Sequence, residues 1–555
     1  MTEHHWLTPT GTLHTAKTLV EADETPAIIY IETGADPLTV TRAQFKAQVQ
    51  QYADGLYVLG VRTGDLVVIA HTQSMESIYL FWAALLLDAI PSMFPTLTEK
   101  LDPDIYTRSM DELVSNSGVK AVFTTDDFAP TLRNVLTCDV HSTGQVHEAR
   151  AQDNVPMRPP APPNPSLIAF LQHSSGTTGL QKGVALSHAA VLNQIESYSE
   201  AIALNDDDVI VSWLPLYHDM GLIAGFIMPL VQGIPLVLMS PFDWVGHPAM
   251  LLRAITDYAG TLCWLPNFAY NHMARRIRKR DLEGVDLSSM RMFINCSEPV
   301  RADSHALFAE KFSAQGVTRQ MLTVSYAMAE NTFAVTQTPP GLAPAIDTVD
   351  AAALEEQKQA IPIAEGRAIV SCGKPITGTQ VRVLDDNGTE LPERHVGELA
   401  VKSNCMLTEY YKRPDLNPFT ADGWYVTGDM GYMADGEVYV IGRKKDLIIN
   451  AGKNVYPQDI EAIVNTVPGV KPGRAVVFGV PDEREGTEIL AVVAELLPDH
   501  DTDAVKKAIR QQVATQSTVS VSYVTLVDDK WLIKTSSGKI ARAANRDKWM
   551  SEHER

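Results

Sequence analysis

Strand-like apolar runs alternate with helix-period segments from early in this chain, and no other feature narrows its fold as much. Residues 66–70 (LVVIA) precede a helical pattern over 78–87, and residues 120–124 (KAVFT) follow it. Parallel strands need a crossover of a dozen or more residues, usually a helix, so this rhythm predicts an α/β fold with a mostly parallel sheet. A proline-rich stretch, 156–165 (PMRPPAPPNP), cannot be helical and reads as an extended connector. A strand over 167–172 comes next, and the α/β pattern continues to about Val335. Residues 337–367 are long and mixed. A strand-rich run with turn signals at 385–388 and 434–436 then extends to Ile441. From about Lys445 a small unit follows, with a helix near 459–464, strands at 474–479 and 489–495, and a helix at 504–512. At 555 residues the chain exceeds a typical domain of ~150 several times over, which suits one large lobe with satellites.

Composition excludes several classes. Hydrophobic residues make up 45% and charged residues 20%, as in soluble globular proteins. Lys and Arg number 46 against 67 Asp and Glu, a net charge of −21. So acidic a chain repels phosphate backbones and is not expected to bind nucleic acid. Any phosphate site must therefore be local, built from backbone N–H groups and a few chosen cations. Cys138, Cys263, Cys296, Cys372 and Cys405 are scattered and form no C-x-x-C pair, which argues against zinc and fits a reducing cytoplasm. Residues 1–17 are polar and lack the apolar run of a signal peptide. Residues 221–239 (GLIAGFIMPLVQGIPLVLM) are nearly long enough to span a bilayer, but Pro229, Gly233 and Pro235 interrupt them. The expectation is a buried helix, a turn at 232–235 and a buried strand at 236–239, with no transmembrane segment.

The sharpest local signal is Ser174-Ser175-Gly176-Thr177-Thr178-Gly179-Leu180-Gln181-Lys182-Gly183, directly after a strand. Glycines let the backbone approach a polyphosphate closely, and the hydroxyls add donors. It is not a Walker A loop, because no Gly-Lys-Ser/Thr opens the following helix.

This loop resembles the phosphate loop of the adenylate-forming superfamily, which includes acyl-CoA synthetases, peptide-synthetase adenylation domains and luciferases. Five further motifs stand in that family's order: 213–222 (WLPLYHDMGL), 297–299 (SEP), 326–330 (YAMAE), 425–429 (YVTGD) with 442–446 (GRKKD), and 534–539 (KTSSGK). The resemblance thus covers nearly the whole chain. It implies a large N-terminal lobe over 1–443, made of two α/β subdomains plus a distorted β-barrel, and a small mobile α+β domain over 444–555. It also implies the activity. A carboxylate attacks the α-phosphate of Mg-ATP, an acyl-adenylate and pyrophosphate form, and a thiol then takes the acyl group. Two anions meet in the first step, so cations and dipoles must shield the shifting phosphate charge.

The resemblance assigns roles residue by residue. Ser174, Ser175, Gly176, Thr177, Thr178, Gly179 and Lys182 bind phosphate. Glu330 holds Mg²⁺, for which an oxygen ligand suits a hard cation. Tyr326 lies against adenine, and Ser297, Glu298 and Pro299 form the strand that frames it. Asp429 takes both ribose hydroxyls, and Arg443 contacts the ribose. Lys539 is the catalytic lysine of a mobile loop, a compact charge that can arrive and leave. His218 stands beside the carboxylate pocket, either gating access or contacting the acyl group. Lys445 is the hinge about which the small domain rotates. Gly452 lines the thiol tunnel, where a side chain blocks a pantetheine arm. Three positions depart from the family pattern: Ala327 replaces a glycine, Cys296 replaces a smaller residue, and Ile533 replaces a proline.

Within the superfamily the chain leans towards fatty acyl-AMP ligases. Besides WLPLYHDMGLI, residues 265–270 (LPNFAY), 297–301 (SEPVR), 454–461 (NVYPQDIE) and 91–101 (PSMFPTLTEKL) resemble that branch. So does the long passage 337–373, since loops beyond ~15 residues are uncommon and usually functional. In that branch an insertion here restrains the small domain and is associated with loss of CoA-dependent thiolation. The acyl group then goes to the phosphopantetheine of an acyl carrier protein. An acyl-CoA synthetase with the same first half-reaction, and a non-catalytic nucleotide-binding homologue, are the alternatives. The presence of Glu330, Asp429, Arg443 and Lys539 together disfavours the last.

Overall fold

The computed structural model describes residues 11–97, 103–152, 163–174, 182–450, 453–482, 487–535 and 539–553. Two large mixed sheets carry the N-terminal lobe. The first has seven strands, with Leu66–Ala70 parallel to Ile90–Met93 and Ala121–Thr124. All five residues of LVVIA are buried, as expected for a parallel strand covered on both faces. Ile168–Ser174 joins this sheet parallel to Ile90–Met93, and Lys182–Ser187 returns antiparallel to it.

The second sheet has nine strands. Its parallel core includes Pro26–Ile31, Leu236–Met239, Ile210–Ser212, Leu262–Leu265, Met292–Asn295 and Leu322–Ala327. The interrupted apolar stretch resolves as a π-helix Met220–Ile227, a short helix Met228–Gln232 and the interior strand Leu236–Met239. Gly233 closes the second helix at φ +71, a left-handed conformation that glycine adopts without strain. No helix among the described residues is long and apolar enough to cross a membrane.

Where the family resemblance implies a distorted barrel, Thr379–Leu384, Gly397–Ser403, Tyr425–Ala434 and Glu437–Arg443 form a four-stranded antiparallel sheet. No closed ring of strands occurs among the described residues.

Residues 337–373 are more ordered than the sequence suggests. Ile346–Val349 and Arg367–Val370 pair as an antiparallel ribbon. Between them, helix Ala351–Glu356 is capped by the Asp350 carboxylate, which accepts the Ala352 and Ala353 N–H groups. The passage ends where it began. A Cβ at Gly373 would lie 2.2 Å from the Gln337 carbonyl carbon, so only glycine fits that return.

The C-terminal unit has its own sheet, Val470–Asp482, Thr487–Leu496 and Val521–Val527, and its own apolar cores. Val464, Val477, Val492 and Ile509 pack on one face, and Phe478, Val493 and Trp549 on the other. The 3₁₀ turn Lys444–Asp446 leads into it. The passage 337–373 touches this unit at several points. Arg367 pairs with Asp459 at 2.8 Å, and Lys453 with Glu356 at 3.0 Å. Asn454 Nδ2 donates to the Glu355 carbonyl at 3.2 Å, and the Thr518 hydroxyl donates to the Glu355 carboxylate.

Candidate active site

Functional side chains collect at the carboxyl ends of the parallel strands, where open α/β sheets bind ligands. The Ser/Thr/Gly loop follows Ile168–Ser174, and Ser174 is the register partner of Lys182, so the two ends of the loop are held side by side. Ser175, Gly176, Thr177, Thr178 and Gly179 lie outside the described residues, as does Gly452.

Leu322–Ala327 delivers Tyr326, whose hydroxyl donates to Asp429 Oδ2 at 2.6 Å. Asp429 and Arg443 are partners across an antiparallel pair, and Arg443 Nε stands 3.3 Å from Asp429 Oδ1. Both carboxylate oxygens therefore face donors. Burial pushes the Asp429 carboxyl up, against the pull of Arg443 and the Tyr326 hydrogen bond. This is an acceptor able to take two donors at once.

Glu330 sits in the 3₁₀ turn after the same strand. Its carboxylate accepts the Tyr410 hydroxyl at 2.9 Å, and Tyr410 Oη lies 2.9 Å from Tyr425 Oη. Lys182 Nζ stands 4.9 Å from the Tyr410 ring centre, which ties the phosphate-loop end to Glu330. Burial pushes the Glu330 carboxyl up. A carboxylate desolvated in this way, with oxygen as its only donor type, fits a hard cation such as Mg²⁺.

Ser297 follows Met292–Asn295 and holds φ at +68, a left-handed conformation uncommon for serine. Its carbonyl accepts Lys539 Nζ at 2.8 Å. The Glu298 carboxylate accepts the Phe268 N–H at 2.8 Å, so its side chain anchors helix Asn267–Arg276. Pro299 continues that segment. His218 Nδ1 is 2.5 Å from Asp219 Oδ1. The Lys445 side chain is exposed at its surface, yet partial desolvation together with Arg443 lowers its ammonium pKa. Its neighbour Lys444 pairs with Glu398 at 2.9 Å and Asp386 at 3.2 Å.

The departures from the family pattern have local reasons where the structure offers one. Ile533 N donates to Asn545 Oδ1 at 2.8 Å, and Asn545 Nδ2 returns a 2.8 Å bond to the Ile533 carbonyl. A proline at 533 lacks that donor, so this chain ties its lysine loop to helix Arg542–His553 instead. Cys296 is fully buried, with its thiol pushed up to about 12 by burial, so it is a packing residue. Nothing in the structure explains Ala327.

Sequence reasoning missed Tyr410, which lies 80 residues from Glu330 in a segment without a recognised motif. It also gave no role to Asp219, although that residue stands inside one. One cluster elsewhere has the composition of a metal site: His14, Asp88 and His188. There His188 Nδ1 accepts the Leu13 N–H at 3.2 Å, and His14 Nε2 lies 2.6 Å from the Leu85 carbonyl. Both rings are thus engaged in clasping the first described segment.

The AMP-binding enzyme family matches residues 17–411, and its C-terminal domain matches residues 459–539. The chain belongs to the AMP-binding enzyme family. This AMP-binding enzyme is an adenylate-forming ligase, a class that uses ATP. It is 30% identical over 561 residues to a long-chain-fatty-acid–AMP ligase of Mycobacterium tuberculosis, covering 94% of each chain. It is 34% identical over 407 residues to a medium-chain-fatty-acid–[acyl-carrier-protein] ligase of Moorena producens, covering 70% of this chain and 68% of that one. Among solved structures it resembles one from work on fatty acyl-adenylate ligases of E. coli and L. pneumophila. The TM-score is 0.86, the identity 26%, and the coverage 98% of both chains.

Proposed function

We propose that this AMP-binding enzyme activates a fatty acid as its acyl-adenylate and passes the acyl group to the phosphopantetheine thiol of an acyl carrier protein, in the cytoplasm. The observation that carries the first half is the meeting of Lys539 with Ser297, which brings a cation of the C-terminal unit to the strand next to the Asp429–Tyr326 pair. The substrate carboxylate is itself the nucleophile, so no covalent enzyme group is needed. Its oxygen bonds to the α-phosphorus, the bond to the bridging oxygen breaks, and pyrophosphate leaves. Lys539 shields the charge that develops there, where a positioned cation acts most strongly. Asp429 and Arg443 hold the ribose, Tyr326 and the segment 297–299 flank adenine, and Lys182 with the 174–179 loop binds phosphate. Mg²⁺ bound by Glu330 would supply positive charge beside the phosphates.

The acceptor reading rests on the grip of residues 337–373 upon the C-terminal unit, through Arg367–Asp459, Lys453–Glu356 and the Glu355 contacts. The second half-reaction needs that unit to turn about Lys445, and then a thiol attacks the acyl carbon and AMP leaves. A restrained unit favours a carrier protein, whose docking energy can drive the turn, over free CoA. The test is to supply the purified chain with ATP, Mg²⁺ and fatty acids, and to follow labelled pyrophosphate exchange and then product with CoA or holo carrier protein. Exchange with medium- or long-chain acids is expected, with acyl-adenylate consumed only by the carrier. No exchange with any such acid overturns adenylation. Robust acyl-CoA formation overturns the acceptor and favours an acyl-CoA synthetase.

A further inference from the structure

Asp219 has no part in the roles above, yet its carboxylate is held at the head of a buried helix and directly against His218. It directly precedes the π-helix Met220–Ile227, whose eight residues are all buried. Its Oδ1 accepts the Met220 N–H at 2.8 Å. The same oxygen lies 2.5 Å from His218 Nδ1, in a close contact that is not a well-aligned hydrogen bond. The Asp219 side chain is 11% exposed and that of His218 21%. Its charge also acts on Cys296, before the Ser297 segment, on Glu330, after Leu322–Ala327, and on Lys539 of the C-terminal unit. Burial pushes the Asp219 carboxyl up, but His218 and Lys539 outweigh it and hold the group below the ordinary carboxylate range.

An ionised carboxylate here is costly twice over. It is desolvated, and it faces the region where ATP phosphates must come. Holding the Met220 N–H does not require the charge, because asparagine accepts such a bond as well as aspartate. The charge has another use. With Nδ1 turned to Asp219, Nε2 is the ring atom left to meet a substrate.

We propose that Asp219 is a positioning residue for adenylation: its carboxylate fixes the His218 ring from the Nδ1 side. This rests on the adenylation reading of the same site. The step itself is unchanged, and Asp219 forms no bond to substrate.

Asp219→Asn separates the charge from the cap, since it keeps the volume and an acceptor for Met220. In pyrophosphate exchange by the full chain, kcat is expected to fall about 10²-fold, the scale of a misplaced reacting group. KM for ATP and for the acid should stay within about two-fold, and the thermal midpoint should not move. Asp219→Asn combined with His218→Asn should be no slower than His218→Asn alone, because the pair acts as a unit. Asp219→Ser, which also keeps a cap acceptor, serves as a second variant should the first fold poorly. An unaltered kcat in either variant overturns the proposal. A kcat loss matched by a lower thermal midpoint, and additive with His218→Asn, overturns it too, since that is the behaviour of a structural cap. If the unmodified chain exchanges pyrophosphate with no acid at all, the adenylation reading itself has failed and this proposal falls with it.

Discussion

Lys539 Nζ donates to the main-chain oxygen of Ser297, 2.8 Å away and 242 residues earlier in the chain. The partner is a neutral carbonyl, so the lysine keeps its full charge for an arriving anion. Ser297 presents that carbonyl from a left-handed backbone at φ +68, a conformation that costs a serine of order 1–3 kcal/mol. Strain of that kind persists where surrounding structure fixes it, and here Glu298 anchors the next residue to the Phe268 N–H.

Replacing Lys539 by alanine should therefore leave the fold nearly untouched. The lost contact is one hydrogen bond at a half-buried side chain, worth about 1 kcal/mol. Pyrophosphate exchange, in contrast, should slow by roughly 10²–10³-fold in kcat, with ATP affinity close to normal. Full retention of the rate removes Lys539 from the chemistry. A loss of affinity in proportion to the rate makes it a ground-state binder.

What could be read in the sequence depended on how local the signal was. LVVIA was legible because five apolar residues in a row suit a strand buried on both faces. Gly233 and Pro235 marked the break between helix and strand for the same local reason. The π-helical turn of Met220–Ile227 was not legible, because eight buried residues leave no polar face to reveal a period. Helix Ala351–Glu356 was missed because six residues are too short to show one. The site was readable only through resemblance. Tyr326 and Asp429 stand 103 residues apart, and no spacing rule joins them. Tyr410 had neither motif nor neighbour to reveal it.

Asp429 gives a pH dependence whose sign is fixed by burial. Its carboxyl is raised above the ordinary 3.8, so the folded chain holds that proton more tightly than the unfolded one. The group therefore adds stability at low pH, and that contribution is lost as pH rises through the raised value. In the proposed ribose role binding runs the other way, because an acceptor for two hydroxyls works best ionised. The ATP dissociation constant should climb on acidification, starting above the range of an ordinary aspartate. Asp429→Asn should flatten this limb and weaken binding at pH 7, with no loss in thermal midpoint. A limb that persists unchanged in the variant assigns the titration to another group.

The contacts between residues 337–373 and the C-terminal unit set a third prediction. Arg367 and Glu356 each form one of the ion pairs, to Asp459 and Lys453. Pairs of this exposure contribute roughly 0.2–1 kcal/mol each. Arg367→Ala with Glu356→Ala should shift the balance of domain orientations by about two- to thirty-fold. Acyl-CoA formation should rise within that range while pyrophosphate exchange stays constant. No gain with CoA, at an unchanged exchange rate, removes these pairs as the restraint.

Restoring the family's proline should do harm in this chain. Ile533→Pro deletes the N–H that meets Asn545 Oδ1 and leaves an acceptor on a fully buried asparagine without that partner. An unsatisfied buried group costs about 1–3 kcal/mol. Amide exchange in helix Arg542–His553 should quicken, and adenylation should slow as the Lys539 loop loses its tie. An unchanged exchange pattern in that helix separates the loop from the clasp.

Transfer to a carrier protein needs a basic surface on a chain of net charge −21, because carrier proteins are usually acidic. Arg275, Arg276, Arg278, Lys279 and Arg280 are all exposed around the end of helix Asn267–Arg276, with buried Ile277 anchoring the run. Among the ion pairs of the described residues only Arg280 has an acidic partner here, Asp281 at a loose 3.7 Å, so the patch keeps most of its field. Such a field steers an acidic partner and is screened over ~8–10 Å near physiological salt. Arg276→Glu with Arg280→Glu should slow acyl transfer to holo carrier protein several-fold at low salt, and the deficit should shrink as salt is raised. Pyrophosphate exchange should not change, since neither residue approaches the Lys539–Ser297 contact through any hydrogen bond or ion pair of the described residues. Equal transfer rates for both chains at low salt place the docking surface elsewhere, while a parallel loss of exchange marks the double variant as misfolded and calls for the single Arg276→Glu to decide.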